Sequence, residues 1–168
     1  MSASLFNSEL PPVPVAGVRR PNAAELVVPL RPVVPLVACV QHFASTPSAA
    51  GWARRHTTDV LERWGCRELR WSACQVVSEL VTNAITHADA SSSGQTVSCR
   101  LTLKLFSDVL AIEVWDPADG HTVQSPCPDL LAESGRGLAI VGQLCAAPLM
   151  VFDAPTCGKT VVALLGRP

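Results

Sequence analysis

Residues 97–116 read VSCRLTLKLFSDVLAIEVWD, and the alternation within them sets the fold class. Val97, Cys99, Leu101, Leu103 and Leu105 are apolar, whereas Ser98, Arg100, Thr102 and Lys104 between them are polar. Successive side chains of an extended chain point to opposite faces, so a period of two marks a strand with one face in a core. Ser107-Asp108 is a turn signal, and Val109 to Asp116 supplies a second strand. The two runs are expected to form an antiparallel hairpin.

Toward the N-terminus the period changes. From about Glu68 to Ala88, the residues Leu69, Ala73, Val76, Val77, Leu80, Val81, Ala84 and Ile85 recur at helical spacing and make one broad inward stripe. Before this helix, Leu36 to Phe43 reads as a strand. A first helix follows Ser45-Thr46-Pro47, with Thr46 as its cap and Pro47 at its first position. Ala49, Trp52, Ala53, Val60, Leu61 and Trp64 carry its apolar spacing, and Gly65 is placed to stop it.

Toward the C-terminus, Pro117 to Ser134 shows no period, and connections of such length are usually functional or mobile. Gly135-Arg136-Gly137 opens a third helix with Leu138, Ile140, Val141 and Leu144 inward, and strands Leu149 to Phe152 and Thr160 to Leu165 close the chain. Helices interspersed with hairpin-connected strands point to an α+β fold. The expected form is a two-layer α/β sandwich whose mixed, mostly antiparallel sheet is covered by helices on one face. Residues 1–35, with Pro11, Pro12, Pro14, Pro29 and Pro32 and no sustained period, read as a disordered tail ahead of one domain, 36–168.

The 168 residues suit a single packed domain, and 48% hydrophobic residues with a net charge of -1 argue against a basic nucleic-acid surface. Val33 to Val40 is broken by Pro35 and falls short of the roughly 20 residues that span a bilayer. The N-terminus lacks a basic start followed by an apolar run, so a cytoplasmic protein is expected, without membrane or direct nucleic-acid contact. Its cysteines include no C-x-x-C pair and sit mostly among apolar neighbours, which favours buried thiols over disulfides or zinc.

Three places could carry chemistry. Glu79, Asn83 and His87 follow at four-residue spacing and form one polar row beside the apolar stripe of the long helix. That row is either a solvated stripe or a working one, in which an Asn carbonyl offers an oxygen to magnesium and a carboxylate one turn away acts as a base. Asp116 shares the side of Leu110, Ile112 and Val114 and so ends a core-facing row. It is either a turn former before Pro117 or an acceptor for a buried donor such as an adenine amino group. Gly120, Gly135 and Gly137 flank the long connection, the last two just before a helix whose free N–H groups can hold phosphate, although a lone G-x-G is also simply a flexible helix start. Gly158-Lys159-Thr160 is not a P-loop, because Asp153 stands where the first glycine would be. His42, His56 and His121 have no second ligand at metal spacing, no cysteine is spaced to pair with a histidine as a nucleophile, and Arg54 and Arg55 read as a solvated helix face.

In order, Glu79-Leu-Val-Thr-Asn83-Ala84-Ile-Thr-His87, Asp116-Pro-Ala-Asp-Gly120, Gly135-Arg136-Gly137-Leu138 and Gly158-Lys159-Thr160 resemble the boxes of the histidine-kinase-like ATPase superfamily. The likeness is nearest to the stand-alone anti-sigma-factor serine/threonine kinases of actinobacterial type, and it covers about Phe43 to Leu165. It implies ATP and Mg2+ as cofactors and an anti-anti-sigma or sigma factor protein as partner, with a possible homodimer. Glu79 would be the base toward a partner serine, and Asn83 the magnesium ligand. Asp116 would bind the adenine amino group, with Thr160 supporting it through water. Gly120, Gly135, Arg136 and Gly137 would lie in a lid over the phosphates, and His87 and Leu138 in the same nucleotide-binding boxes. The alternative is a non-catalytic, nucleotide-responsive module that sequesters a sigma factor or other regulator. The chain departs from the resemblance where Pro117-Ala118-Asp119 leaves only Gly120 of the adenine box's glycines, and where Glu133 stands in place of a lid arginine.

Overall fold

The computed structural model describes residues 34–89, 98–117, 136–154 and 157–168. Strand β1 (Val37–Ala44) is followed by helix α1 (Ala49–Arg63), a short 3-10 turn (Arg67–Leu69) and helix α2 (Arg70–Asp89). Then come β2 (Ser98–Leu105), β3 (Val109–Asp116), α3 (Arg136–Leu144), β4 (Met150–Asp153) and β5 (Lys159–Gly166). The strands form one sheet in the order β1-β2-β3-β5-β4. The α+β class follows the sequence reading, and the sheet goes further than mostly antiparallel: every pairing among the described residues is antiparallel. β3 and β4 run in the same direction with α3 between them in sequence, but β5 is inserted between them, so no parallel pair forms.

The hairpin register sets Leu101 against Val114, Leu103 against Ile112 and Leu105 against Leu110. These six side chains, with Ala163 and Leu165 of β5, form the floor on which the helices lie, and all are buried. The whole inward stripe, from Leu69 at the end of the 3-10 turn to Ile85 in α2, is buried as its spacing requires. Each large aliphatic side chain taken out of water here stabilises the fold by roughly 1.5–3 kcal/mol. α2 is the central element, packed on α1, on α3 and on strands β2, β3 and β5.

α1 departs from its expected form at two points. It begins at Ala49, not at Pro47, because Thr46-Pro47-Ser48 make a separate turn in which the Ala49 N–H donates to the Thr46 carbonyl at 2.9 Å. Trp52 is 58% exposed, and its place in the inward row is taken by Thr57. The buried row Ala49, Ala53, Thr57, Val60 and Leu61 leaves Trp52 turned about one residue to the side, where the Arg55 guanidinium lies 5.5 Å from its ring centre. Thr57 tolerates burial because its hydroxyl donates to the Ala53 carbonyl at 2.8 Å. The C-terminal stop is as expected. Gly65 has φ 71°, its N–H donates to the Glu62 carbonyl, and the Cys66 N–H donates to the Leu61 carbonyl, a Schellman ending that requires the left-handed glycine. In α3, Val141 is buried and Leu138 and Leu144 pack against the core, but Ile140 is 48% exposed and does not join them.

Where β1 meets α1, the Cys39 Sγ lies 3.5 Å from His56 Nε2, and the Phe43 ring packs edge-on to the imidazole. No sequence spacing announced this thiol–imidazole contact, because strand and helix bring the two together. Burial, then the Arg63 charge, hold His56 below its ordinary value of 6.5, with Asp59 opposing. A histidine kept neutral in the fold gives stability that is present above the unfolded value and is lost as the pH falls toward the folded one, because the unfolded chain protonates first. The melting temperature of the wild type should therefore drop more between about pH 7 and pH 5.5 than that of His56→Gln. Parallel slopes would mean that His56 is solvated. Among the described residues no helix is long and apolar enough to cross a membrane, and no disulfide forms.

Candidate functional site

Glu79 and Asn83 are both half-buried, between the buried Leu80 and Ala84 on one side and the exposed Thr82 and Thr86 on the other. They thus belong neither to the core nor to a freely solvated stripe. What covers Glu79 is the start of α3. A Cβ built on Gly137 would fall on the Glu79 carboxylate, 2.7 Å from its Cδ, so with glycine at this position the start of α3 lies against this side chain in its present place. The first N–H groups of a helix have no intrahelical acceptor. The half-buried Glu79 carboxylate thus lies against the start of α3. Gly137→Ala should push the Glu79 carboxylate aside while barely moving the melting temperature, since the colliding atoms are the far end of a side chain. A fall of several degrees would instead show that the contact is needed for packing.

The second cluster sits at the end of the two central strands. Asp116 ends the core-facing row of β3, as its parity requires, and is 2% exposed. Its register partner on β5 is Lys159, also 2% exposed, whose Nζ donates to Asp116 Oδ1 at 3.0 Å. Gly158, with φ 82°, allows this approach: a Cβ there would strike the Asp116 carbonyl oxygen and stand 2.8 Å from Pro117 Cα. Burial first, and the Asp116 charge among the further causes, raise the Cys99 thiol above its ordinary range, so this neighbour stays protonated.

Thr160 is paired in register with Trp115 and Phe152 and so faces the opposite side of the sheet from Asp116. The position beside Asp116 belongs to Lys159. Sequence reading passed over Lys159, although the signal was present: Val161, Ala163 and Leu165 define the inward parity of β5, and the next residue back in that row is Lys159. Leu138 packs against the core beneath α3. Gly120 and Gly135 lie outside the described residues, as do residues 1–33 and the connection 118–135, and the side chains of His87 and Arg136 are likewise not described. Among the described residues no group of three or more His, Cys, Asp or Glu side chains could hold a metal ion.

Two glycines at which a side chain would collide with neighbouring residues, a half-buried carboxylate against the start of α3 and a buried acid–base pair make up the candidate site. The family model for the histidine kinase-like ATPase domain matches residues 43–154, from the end of β1 to just past β4. The chain belongs to this family, and ATP is the ligand that such a domain binds. Comparison with curated proteins gave no match. The donor set fits ATP. Asp116 can accept from a base amino group, the N-terminal amides of α3 suit phosphate oxygens, and the carboxamide oxygen of Asn83 suits magnesium, which commonly takes one or two protein oxygens and completes its shell with phosphates and water.

Proposed function

We propose that the chain is an ATP-dependent serine/threonine protein kinase of the anti-sigma-factor type, acting on a serine of an anti-anti-sigma partner. The observation that supports this reading is the Glu79 carboxylate lying against the start of α3 at Gly137. On this reading Glu79 is the base, and the first amides of α3 beside it are the donors for the terminal phosphate, where an incoming hydroxyl would lose its proton. Phosphoryl transfer asks the protein mainly for positioning and charge neutralisation. Asp116 orients the base, the α3 amides orient the phosphates, Asn83 supplies oxygen to magnesium and Glu79 accepts the hydroxyl proton. Magnesium, when bound, neutralises charge on the phosphates.

The direct test is a melting curve of the full chain with and without Mg-ATP. A ligand that binds only the folded state stabilises it by about 2.7 kcal/mol at a hundred times its Kd, which is a shift of several degrees for a domain of this size. No shift at millimolar nucleotide would sink the reading. Transfer of labelled γ-phosphate to a co-purifying partner then separates a kinase from a module that only sequesters its partner.

A further inference from the structure

The groove between β1 and α1 holds reactive side chains that the nucleotide site does not use. Cys39 is half-buried on β1, an edge strand of the sheet, and its Sγ lies 3.5 Å from Nε2 of His56. Burial and the Arg63 charge favour the neutral imidazole, whose unprotonated nitrogen can accept a proton. The Phe43 ring packs edge-on to it at 6.3 Å between centroids, and the Asp59 charge acts on it from the next turn of α1. His56 also lines a cavity of about 390 Å³ together with Gln41, Phe43, Trp52, Arg55 and Asp59. Aromatic walls with one charge of each sign suit a small zwitterionic molecule.

A thiol beside a base is the arrangement that activates a nucleophile. The other described thiols lack a part of it. Cys66 and Cys99 are buried, and burial raises the Cys145 thiol above its ordinary range. Cys74 lies against the Thr58 hydroxyl and the Arg54 carbonyl, neither of which is a base. We propose that Cys39 is a thiol-modification site, with His56 as general base and a zwitterionic low-molecular-weight disulfide in the neighbouring cavity as co-substrate. His56 Nε2 takes the Cys39 proton as Sγ attacks one sulfur of the disulfide. The ligand's S–S bond breaks as the new bond to Cys39 forms. The departing thiolate takes the proton back from the imidazolium and leaves as a free thiol. Cys39 is oxidised, the disulfide is reduced, and no further reactant enters. Arg55 pairs with a carboxylate of the ligand and Asp59 with its ammonium.

The test exposes the folded full chain to oxidised glutathione at neutral pH, quenches with an alkylating reagent and follows each cysteine by mass spectrometry. Cys39 should form its mixed disulfide at least about tenfold faster than the exposed Cys157, a modest share of what a positioned base contributes. His56→Gln should remove at least about tenfold of the rate at Cys39 and leave Cys157 unchanged. With bis(2-hydroxyethyl) disulfide, which carries no charge, the lead of Cys39 over Cys157 should shrink. A faster Cys157, or an unchanged rate at Cys39 in His56→Gln, would overturn the site. An equal lead with both disulfides would overturn the assignment of Arg55 and Asp59 to the ligand. Should His56→Gln fail to fold, seen as the loss of a cooperative melt, the wild-type order of Cys39 and Cys157 decides alone.

Discussion

Lys159→Met should lower the unfolding free energy by about 3–5 kcal/mol, the cost of leaving one member of a buried ion pair without the other. Lys159 and Asp116 are each 2% exposed, so water cannot replace the missing partner. The stability of a domain is typically only about 5–15 kcal/mol, so the variant should melt far below the wild type yet remain largely folded in the cold. Asp116→Asn combined with Lys159→Met should recover a large part of the loss, because removing both charges also removes the desolvation cost. Urea titration of the wild type, the two single variants and the double variant gives the coupling directly. A Lys159→Met variant within about 1 kcal/mol of the wild type would show that the pair is solvated in solution.

That pair also shows where sequence reading stops. The hairpin and the stripe of α2 were legible because each buries one face over many residues, so period and parity repeat the same message. Asp116 was legible for the same reason, as the last residue of a core-facing row. Lys159 obeys the identical parity on β5, but a charged residue at the end of an apolar row reads as the edge of the strand. Its partner lies 43 residues away, beyond any local pattern. The meeting of Gly137 with Glu79 is hidden in the same way, since it depends on how α3 docks on α2. Thr160 lies on the other face of β5 from Lys159, because in a strand one residue changes the face. Trp52 was misplaced by size: a large apolar residue invites burial, yet the spacing of Ala49, Ala53, Thr57 and Val60 leaves it outside that row.

Glu79→Gln should leave Mg-ATP affinity nearly unchanged and reduce phosphoryl transfer about a hundredfold or more, the usual loss when a general base is removed. The amide keeps the size and polarity that let Glu79 lie against Gly137, so the α2–α3 contact survives while proton acceptance does not. Asn83→Ala separates the proposed roles, because the reading assigns different work to these two neighbours one turn apart. If Asn83 anchors magnesium as proposed, binding and transfer should fall together when the carboxamide oxygen is removed. Calorimetry for affinity and labelled γ-phosphate for transfer to the partner's serine read the two effects independently. If Glu79→Gln transfers at the wild-type rate, the carboxylate is not the base and its burial under α3 serves packing alone. If the wild type transfers nothing yet holds its partner only when nucleotide is bound, the closing of α3 on Glu79 is a switch that reports nucleotide to a sequestering surface. In that case Gly137→Ala, which displaces the same carboxylate, should alter partner release and leave ATP affinity in place.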